Sequence, residues 1–496
     1  MSYRTSSIIV KPTDKELYEY CMDTCHKAKC LYNVTNFYIR QVMTGIQKKV
    51  GLLQPNEEKV LNVIHEYLPQ YNALRLDYLK KRLSKKNLSK NKKELLEKKV
   101  ASFKEITFPT VDCWFVSYGL LEAVLKLSNN ADYYNLPAQT NQQVMRTCYN
   151  DWKSYFKSLS KFKKDKSKFN GLPKIPNYKK KELTSVKFTN IICKIIADDN
   201  ISYLTFPKSK IRLPLGNYIS SDAKLQQVEI IPYYGYFKIF IKMKDKEFQP
   251  VVTEPKRVAG IDLGVNNIAA ISNNVGVPTL LIKGDVIKSY NQWFNKRRAI
   301  ICSSMQKGKH ANYISKSLNA LSRKRDAFLR DYFYKLSHSI IRYCKEYNID
   351  TIIVGKNAGW KTGINLYHKE NTQNFVSIPF SHLLNILQYL CLKFGIQYIE
   401  TEESYTSLAS ILDDDALPNF KQREIEPRFS GIRSKKNKRF YFSKDGTTIN
   451  ADINGASNII RKVVPSAFAE IDKSYLCNKP LIWDFSHYYL KRKSNK

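Results

Sequence analysis

Asp262 is the first side chain in this sequence whose setting points to chemistry. It lies in VAGIDLGVNNIAAIS (258–272), an apolar segment that predicts a strand leading into a hairpin, with Gly260 and Gly264 beside it. Desolvating a carboxylate inside a hydrophobic strand is costly unless a positive charge holds it, so a bound metal ion is the simplest explanation. The flanking glycines would let a metal ion or a phosphate approach the backbone. Taken alone, the motif is ambiguous.

A pair of glutamates and a later aspartate are candidates to complete such a site. Glu402 and Glu403 follow the predicted strand IQYIE, and because adjacent strand residues point to opposite faces, at most one of them can aim at Asp262. Asp452 opens a predicted helix in INADINGASNIIRK (449–462), where its alternative role is merely that of the helix N-cap. Three carboxylates at the ends of separate α/β elements are the ligands that two hard divalent cations need.

The predicted elements change character twice along the chain. A short N-terminal strand is followed by helical periodicity from Asp14 to about Met43, and helical signals then dominate to about residue 165. Short alternating segments between 185 and 255 predict a small all-β unit, which we interpret as a barrel completed by the N-terminal strand, with the helices inserted between its strands. After Pro255, strands alternate with helices as in an α/β domain, including a long helix predicted from about Ser315 to Tyr347. The sequence therefore predicts a multidomain α+β protein.

The composition narrows both the class of protein and the class of partner. Among 496 residues, 82 Lys and Arg against 44 Asp and Glu give a formal charge of +38. A hydrophobic content of 43% is too high for a disordered polybasic chain, so this charge lies on folded domains. No apolar run approaches the roughly 20 residues of a membrane span, and the N-terminus has no signal-peptide pattern. We therefore expect a soluble intracellular protein, with no membrane partner, whose charge is neutralised by nucleic acid.

Two basic runs are candidates for nucleic-acid contacts. Residues 80–99 contain ten basic and two acidic residues, and residues 153–181 contain eleven lysines, one acid and interleaved aromatic residues. Lysines supply phosphate contacts and aromatic rings can stack on exposed bases, although a solvated helix face is the ordinary alternative for such a run. The candidate contacts in the second run are Lys153, Lys157, Lys161, Lys163, Lys164, Lys179 and Lys180.

The ten cysteines include no CxxC pair, so no zinc ribbon is encoded and we predict no zinc site. The cluster YCMDTCHKAKC (20–30) has spacings that suit one side of a helix, and we interpret it as apolar packing rather than as a metal site. The other cysteines are typical of buried, reduced thiols in a cytosolic protein.

Six motifs occur in the order found in one nuclease family. They are GIDLGVNN, IIVGKNAGWK, QNFVSIPF, EESYTSLASILDDD, FSGIR and NADINGASNIIRK. In this order they resemble the RuvC-like nuclease of the TnpB proteins and of their relatives, the miniature type V (subtype V-F) CRISPR effectors. The N-terminal segments KCLYNVTNFYIRQ and LPAQTNQQVMRTCYNDWKSYFKSLSKF look like this family too, so the resemblance spans nearly the whole chain. It resolves the ambiguity of the first motif, because actin-like kinases, which also begin with a glycine-flanked aspartate, have no NADINGA element.

The resemblance implies an RNase H fold with Asp262 as the first catalytic acid and Asp452 as the third. Many relatives carry the middle acid after the strand that here reads TIIVGKN, which lacks one, so this chain resembles the branch in which EESYTS supplies it. We predict Glu403, with Glu402 as the alternative, because Glu403 lies beside the serine and tyrosine of that motif. Together the three acids are expected to bind two Mg²⁺ ions for phosphodiester hydrolysis.

The family's insert between the second and third acids commonly carries a four-cysteine zinc ribbon, but this chain has no cysteine from 392 to 476. We therefore expect a target-strand-loading insert without zinc, which contacts the substrate strand through basic residues, with a solvated loop as the alternative. The predicted contacts are Arg428, Arg433, Lys435, Lys436, Lys438 and Arg439. The implied domains are a wedge-like β-barrel (1–30 and 185–255), a helical recognition domain (31–184), a RuvC-like nuclease (256–404 and 450–496) and the insert (405–449).

The function that the resemblance implies is that of an RNA-guided DNA endonuclease of the CRISPR type. Such a protein holds a guide RNA whose base pairing reads double-stranded target DNA, while the protein reads duplex shape and a short adjacent motif. We expect a homodimer on one RNA, acting in antiviral defence in the cytoplasm of a prokaryote with access to the nucleoid. Two alternatives stay open: the transposon-encoded TnpB form, and a binding-only relative whose nuclease has decayed, as the missing acid after TIIVGKN suggests.

Overall fold

A computed structural model gives the architecture of the chain. The structure describes residues 3–49, 51–85, 89–198, 201–216, 224–244, 254–307, 315–356, 376–418, 427–434, 436–437 and 439–490. By its internal contacts the chain divides into two units, Met1–Lys246 and Glu247–Lys496. Each unit contains both helices and sheets, which confirms the predicted multidomain fold that mixes α and β structure.

Helices of the first unit form where apolar residues recur at helical spacing. They are α1 (Lys15–Gly45), α2 (Pro55–Leu83), α3 (Lys90–Ala101), α4 (Tyr118–Leu127), α5 (Ala131–Tyr134) and α6 (Ala138–Lys164). Helix α1 buries one face that includes Cys21 and Cys25. Burial raises the pKa of Cys21 to about 12, so this thiol is a core side chain and not a ready metal ligand. No helix within the described ranges combines the length and the apolar character that a membrane span needs.

Trp152 of α6 joins two of these helices. Its ring is fully buried, and its indole Nε1 donates a 3.0 Å hydrogen bond to Asn36 Oδ1 on α1. Phe156, one turn further along α6, packs with ring centroids 5.9 Å from Trp152 and 5.1 Å from Phe115. Phe156 thus lies partly buried in an aromatic cluster, and base stacking by the interleaved aromatic residues stays a prediction.

Strands of the first unit form two antiparallel sheets. They are β1 (Tyr3–Val10), β2 (Val186–Thr189), β3 (Lys194–Asp198), β4 (Ile201–Thr205), β5 (Arg212–Pro214), β6 (Lys224–Tyr233) and β7 (Tyr236–Lys244). One sheet has the order β1-β7-β6-β2, and the other has the order β3-β4-β5. The N-terminal strand therefore joins the later strands, with Ile8 opposite Ile239. No closed barrel is found among the described strands, and the barrel stays a prediction.

The second unit alternates strands and helices. Its strands are β8 (Val258–Asp262), β9 (Asn267–Asn273), β10 (Leu280–Lys283), β11 (Thr351–Gly355), β12 (Gln397–Thr401), β13 (Ile432–Arg433), β14 (Phe440–Phe442), β15 (Thr448–Asn450) and β16 (Leu481–Trp483). Its helices are α7 (Asp285–Lys307), α8 (Lys316–Glu346), α9 (Phe380–Phe394), α10 (Ala451–Val463) and α11 (Ser486–Leu490).

Six of these strands form the main sheet of the second unit, in the order β12-β11-β8-β9-β10-β16. Strands β8, β9 and β10 form an antiparallel meander, whereas β11 is parallel to β8 and β12 is parallel to β11. The carboxyl ends of parallel strands meet at one edge of a sheet. Residues that follow β8, β11 and β12 are therefore brought to the same place.

A small three-stranded sheet of β13, β14 and β15 lies within the predicted insert. Tyr441 of β14 is buried, and its hydroxyl donates a 2.7 Å hydrogen bond to the Leu408 carbonyl oxygen. Asp415 accepts hydrogen bonds from the backbone N–H and the hydroxyl of Ser430. These hydrogen bonds join the later part of the insert, at Ser430 and Tyr441, to its first part, at Leu408 and Asp415.

Candidate active site

Helix α10 lies directly across the central strand β8 because two positions there have no side chain. A Cβ atom at Gly260 of β8 would lie 2.2 Å from the Ala456 carbonyl oxygen of α10, far inside van der Waals contact. A Cβ atom at Gly455 of α10 would lie 2.9 Å from Oδ2 of Asp262. These two glycines let helix and strand approach closely. As a result, Asp262 at the end of β8 lies against the N-terminal half of α10.

Asp452 lies in the first turn of α10, but it does not cap the helix. The cap is Asn450, whose Oδ1 accepts hydrogen bonds from the N–H groups of Asp452 and Ile453 at 3.0 and 3.2 Å. The alternative role of Asp452 as the N-cap is therefore wrong. Its carboxylate instead accepts a 2.7 Å hydrogen bond from Asn267 Nδ2 and lies 3.4 Å from the Arg433 guanidinium. The Asp452 carboxylate therefore does not serve as the N-cap, and Asn267 and Arg433 orient it instead.

The two glutamates after β12 have different neighbours. Glu403 lies beside the end of β11, since a Cβ atom at Gly355 would be 3.1 Å from Glu403 Oε2. Glu402 pairs with the ammonium of Lys462, near the end of α10, and also accepts a 3.1 Å hydrogen bond from the Ser404 N–H. Because β11 is the strand next to β8, this arrangement places Glu403, not Glu402, on the side of Asp262. The choice of Glu403 as the middle catalytic acid stays a prediction, which this geometry supports.

Asp262, Asp452 and Glu403 influence one another electrostatically. Burial raises the pKa of Asp262 well above its usual range, and the charges of Asp452 and Glu403 raise it further. The Arg433 guanidinium and the Leu263 N–H act in the opposite direction. The side chain of Asp262 keeps partial contact with solvent, but the protein around it is dense enough for desolvation to dominate. Three mutually repelling carboxylates therefore share one site.

The chemistry of this site fits a hard divalent cation. Three carboxylates supply oxygen ligands, and a cation would relieve the repulsion among them. Their side chains do not enclose an ion as they stand: in the described part of the chain, no three His, Cys, Asp or Glu side chains are grouped closely enough to hold one. Metal binding would therefore require the carboxylates to turn toward one another.

Three residues that shape this site were not predicted from the sequence: Asn267, Gly355 and Lys462. Asn267 lies in the motif GVNN and orients Asp452. Gly355 leaves room for Glu403 beside β11, and Lys462 holds Glu402. All three lie in motifs that carry the family resemblance, but only tertiary structure shows which acid each of them serves.

Asp262 is expected to destabilise the metal-free protein at neutral pH. Its raised pKa means that the folded state holds this proton more tightly than the unfolded state, whose carboxyl titrates near pH ~3.9. Stability is therefore lost as the pH rises from about 4 through the folded-state pKa. In EDTA at pH 7.5, Asp262→Asn should raise Tm by roughly 2–5 °C, since a stabilising substitution typically contributes about 0.5–2 kcal/mol.

Differential scanning calorimetry at pH 7.5 and at pH 4 tests this expectation. The gain should shrink at pH 4, where the wild-type carboxyl is protonated in the folded protein. Glu470→Gln, which changes an exposed acid, is the matched control and should leave Tm unchanged at both pH values. An equal gain for Asp262→Asn at both pH values would contradict the electrostatic explanation.

The lysines predicted to contact nucleic acid in the first unit have different surroundings. Lys179 lies over the Tyr32 ring, with its Nζ 4.3 Å from the ring centroid and 3.7 Å from the Asp151 carboxylate. Its charge is therefore partly compensated within the protein. The others are exposed: Lys153, Lys157, Lys161, Lys163, Lys164 and Lys180. Their contacts with nucleic acid stay predictions.

One of the predicted basic contacts of the insert lies at the candidate active site. Arg428, Arg433, Lys436 and Arg439 are exposed, and of these Arg433 contacts Asp452. Lys435 and Lys438 lie outside the described residues. The role of the insert in contacting a substrate strand therefore stays a prediction.

Two family profiles match the chain. The first is described as OrfB_IS605, probable transposase, and matches residues 239–361. The second is described as Cas12f1-like, TNB domain, and matches residues 380–459. Asp262 lies within the first match, and Glu403 and Asp452 lie within the second. Both matches agree with the resemblance deduced from the ordered motifs, which is thereby confirmed.

The individual relatives share low sequence identity with this chain. The TnpB-like protein ORF457 of Acidianus two-tailed virus is 24% identical over 245 residues, which cover 48% of this chain and 48% of that protein. The chain thus matches about half the length of this curated relative. Among solved structures, a Cas12f1–sgRNA–target DNA complex is similar at 14% identity and a TM-score of 0.31, over 92% of this chain and 98% of that one. The mini-RNA-guided endonuclease CRISPR-Cas_phi3 is similar at 12% identity and a TM-score of 0.34, over 70% and 86%.

Proposed function

We propose that this chain, which resembles the TnpB-like and Cas12f-like RNA-guided nucleases, is an RNA-guided DNA endonuclease with a single RuvC-like site. The observation that carries the proposal is the shared electrostatic site of Asp262, Glu403 and Asp452, which come from three separate elements. The strand order around β8, a meander with two parallel strands added on one side, supports an RNase H-like nuclease domain.

Asp262, Glu403 and Asp452 would hold two Mg²⁺ ions, which when bound activate the attacking water and stabilise the departing 3′ oxygen. Burial and the neighbouring acids raise the pKa of Asp262 in the metal-free protein, so its carboxyl keeps a proton to a higher pH than usual. That proton must leave before the carboxylate can serve as a ligand. The affinity of the site for divalent cations should therefore increase with pH.

Two further side chains would prepare the site for its substrate. Asn267 donates its amide hydrogen to Asp452 and fixes the orientation of that carboxylate. Arg433 contacts the other oxygen of Asp452 and partly neutralises the acids. Bound cations would neutralise the acids in place of Arg433. Its guanidinium would then be available for a charge-assisted hydrogen bond to the phosphate backbone of the strand being cut.

Specificity must come from outside the three acids, since carboxylates recognise no base sequence. We propose that a guide RNA supplies it by base pairing with double-stranded DNA, while the protein reads a short adjacent motif. The charge of +38 and the exposed lysines of α6 support a large RNA partner. We propose that RNA binding, DNA recognition and cutting are divided among the four predicted domains: the β-barrel, the helical recognition domain, the nuclease and the insert. Two protein copies would act on one RNA in a prokaryotic cytoplasm.

The role of a CRISPR effector in antiviral defence is the form of this function that we favour, because a Cas12f1-like profile matches residues 380–459. The transposon-encoded form shares the same chemistry, and the match to a TnpB-like protein favours it as the second candidate. A nuclease-inactive relative is the third candidate. It is favoured because β11 ends at Gly355 and is followed by Lys356, so neither residue there is a carboxylate. The position of Glu403 beside Gly355 supports an active enzyme instead.

The test is to sequence the RNA that copurifies with the protein and to use it as a guide. The protein should retain a defined RNA, and the reconstituted complex should cut matched linear DNA in Mg²⁺ but not in EDTA. A library with randomised flanking sequence would identify the adjacent motif. Repeat-derived RNA would indicate the CRISPR form, and RNA from a transposon end would indicate the other.

Two outcomes would contradict the proposal. Binding of matched DNA without cutting, in both Mg²⁺ and Mn²⁺, would favour the nuclease-inactive relative. Absence of any guide-dependent binding would reject RNA guidance altogether. Mass photometry of the assembled complex tests the homodimer, because a single protein copy per RNA would exclude it.

A further inference from the structure

Lys462 is a buried cation in a protein whose basic residues are mostly exposed. Only 3% of its side chain is accessible, whereas the side chain of its partner Glu402 is 35% accessible. The ammonium also donates a 3.0 Å hydrogen bond to the Pro418 carbonyl oxygen. A buried ammonium is costly unless it is paired and hydrogen-bonded, so the protein must retain Glu402 as its counter-ion. Such a lysine is not available to contact the phosphates of a nucleic acid.

Two asparagines on the same helix hold the segment that follows these glutamates. Asn454 Oδ1 accepts a 3.0 Å hydrogen bond from the Ile411 N–H, and its Nδ2 donates to the Ala409 carbonyl at 2.8 Å. Asn458 Nδ2 donates to the carbonyl oxygens of Thr406 and Ala409 at 3.0 and 2.7 Å. Both asparagines are completely buried, so these bonds form without competition from water.

Asn454, Asn458 and Lys462 follow one another at intervals of four residues, and such residues lie on one face of a helix. We name these three residues the α10 ladder. All three contact the chain between Glu402 and Pro418. The same helix carries Asp452 in its first turn. Helix α10 therefore carries the third acid, Asp452, and also holds the segment that carries the middle acid, Glu403.

We infer that the α10 ladder is a positioning device for the middle acid, in which Lys462 holds Glu402 and thereby turns Glu403 toward Asp262. The physical basis is that the two glutamates are consecutive, so a contact that holds Glu402 also restrains the backbone from which Glu403 extends. With Glu402 held on Lys462, Glu403 lies beside Gly355, which leaves room for it. The inference rests on the proposed function, because it assigns the residue that presents a metal ligand.

Terbium luminescence tests the inference without requiring cleavage. Tb³⁺ binds oxygen ligands in place of Mg²⁺, and it can be titrated into the protein–RNA complex without DNA. Lys462→Met should weaken Tb³⁺ binding roughly 10–100-fold, which is the usual cost of losing an outer-shell partner of a metal site. Lys462→Arg, which can still pair with Glu402, should restore the affinity to within about threefold of wild type.

Cleavage rates measured against Mg²⁺ concentration give a second readout. Lys462→Met should need more Mg²⁺ for half-maximal cutting, while guide RNA binding stays unchanged. The double variant Lys462→Met with Glu402→Gln should be less impaired than Lys462→Met alone, since the single change leaves the Glu402 carboxylate without its counter-ion. If Lys462→Met does not fold, Lys462→Gln takes its place, because its shorter, neutral side chain also removes the ion pair with Glu402.

Lys473→Met is the matched control. Lys473 makes a comparable ion pair with Asp414 at 2.6 Å, and its side chain is 15% accessible. This variant should lose stability without a change in Tb³⁺ affinity. Equal behaviour of the Lys462 and Lys473 variants in the Tb³⁺ titration would overturn the inference and leave Lys462 with a structural role. A wild-type protein that binds Tb³⁺ tightly but never cuts guided DNA would instead reject the proposed function alone.

Discussion

Asp262→Asn and Asp452→Asn are each expected to lower guided DNA cleavage by on the order of 10³-fold or more. Each change removes a charged ligand from the site, which costs more than the roughly 10–100-fold typical of an outer-shell partner. Asn keeps the size of the side chain, so the packing of α10 on β8 should persist. Single-turnover cleavage of matched DNA by the preassembled complex measures the effect.

Binding must be measured in parallel to give this result its meaning. Both variants should bind guide RNA and target DNA as tightly as wild type, because neither acid contributes to the basic surfaces. Glu470→Gln, at an exposed position, should cut at the wild-type rate. Unimpaired cutting by Asp452→Asn would show that the helix α10 acid is not part of the nuclease site, and the proposed mechanism would then be wrong.

Glu403→Gln should abolish cutting almost as completely, whereas Glu402→Gln should remain within about threefold of wild type. The two changes are chemically identical and adjacent in sequence, so each is the control for the other. Glu403 lies beside Gly355 on the side of Asp262, while Glu402 is committed to Lys462. In Glu402→Gln the amide oxygen still accepts the hydrogen bond from Lys462, so the segment should stay in place.

The same single-turnover assay, repeated across Mg²⁺ concentrations, separates two kinds of loss. Failure of Glu403→Gln at every Mg²⁺ concentration would indicate a lost ligand, while recovery at high Mg²⁺ would indicate only a weakened one. The opposite ranking, with Glu402→Gln inactive and Glu403→Gln active, would exchange the roles of the two glutamates. It would also remove the basis of the α10 ladder as a positioning device.

Long elements were predictable from the sequence because their signals are local. Periodicity from Asp14 to about residue 43 predicts a helix that the structure places at Lys15–Gly45. Likewise, the helix predicted for about 315–347 spans Lys316–Glu346, with Ser315 as its N-cap. Hydrophobic repeats and capping residues act over a few positions, so a single sequence reveals them.

Residue roles that depend on contacts with residues far away in the sequence were not predictable from local patterns. Glu402 and Glu403 are equivalent in charge and reach, and the residue that separates them, Lys462, follows 60 positions after Glu402. Asp452 is a reasonable N-cap by residue type, and only the backbone geometry assigns that role to Asn450. Closure of the predicted barrel likewise depends on strand pairing between remote segments. Each of these cases needed tertiary contacts, which no local pattern encodes.

The position of α10 in the chain has a consequence for synthesis on the ribosome. Asp452 follows Asp262 by 190 residues, and the helix that carries Asp452 also secures the segment of Glu403. The nascent chain exposes most of its basic surface long before this helix emerges. Under the proposed function, it would meet nucleic acid while chemically inert and gain cutting ability only after this helix has emerged. The order of synthesis would thus separate the capture of RNA from the ability to damage DNA.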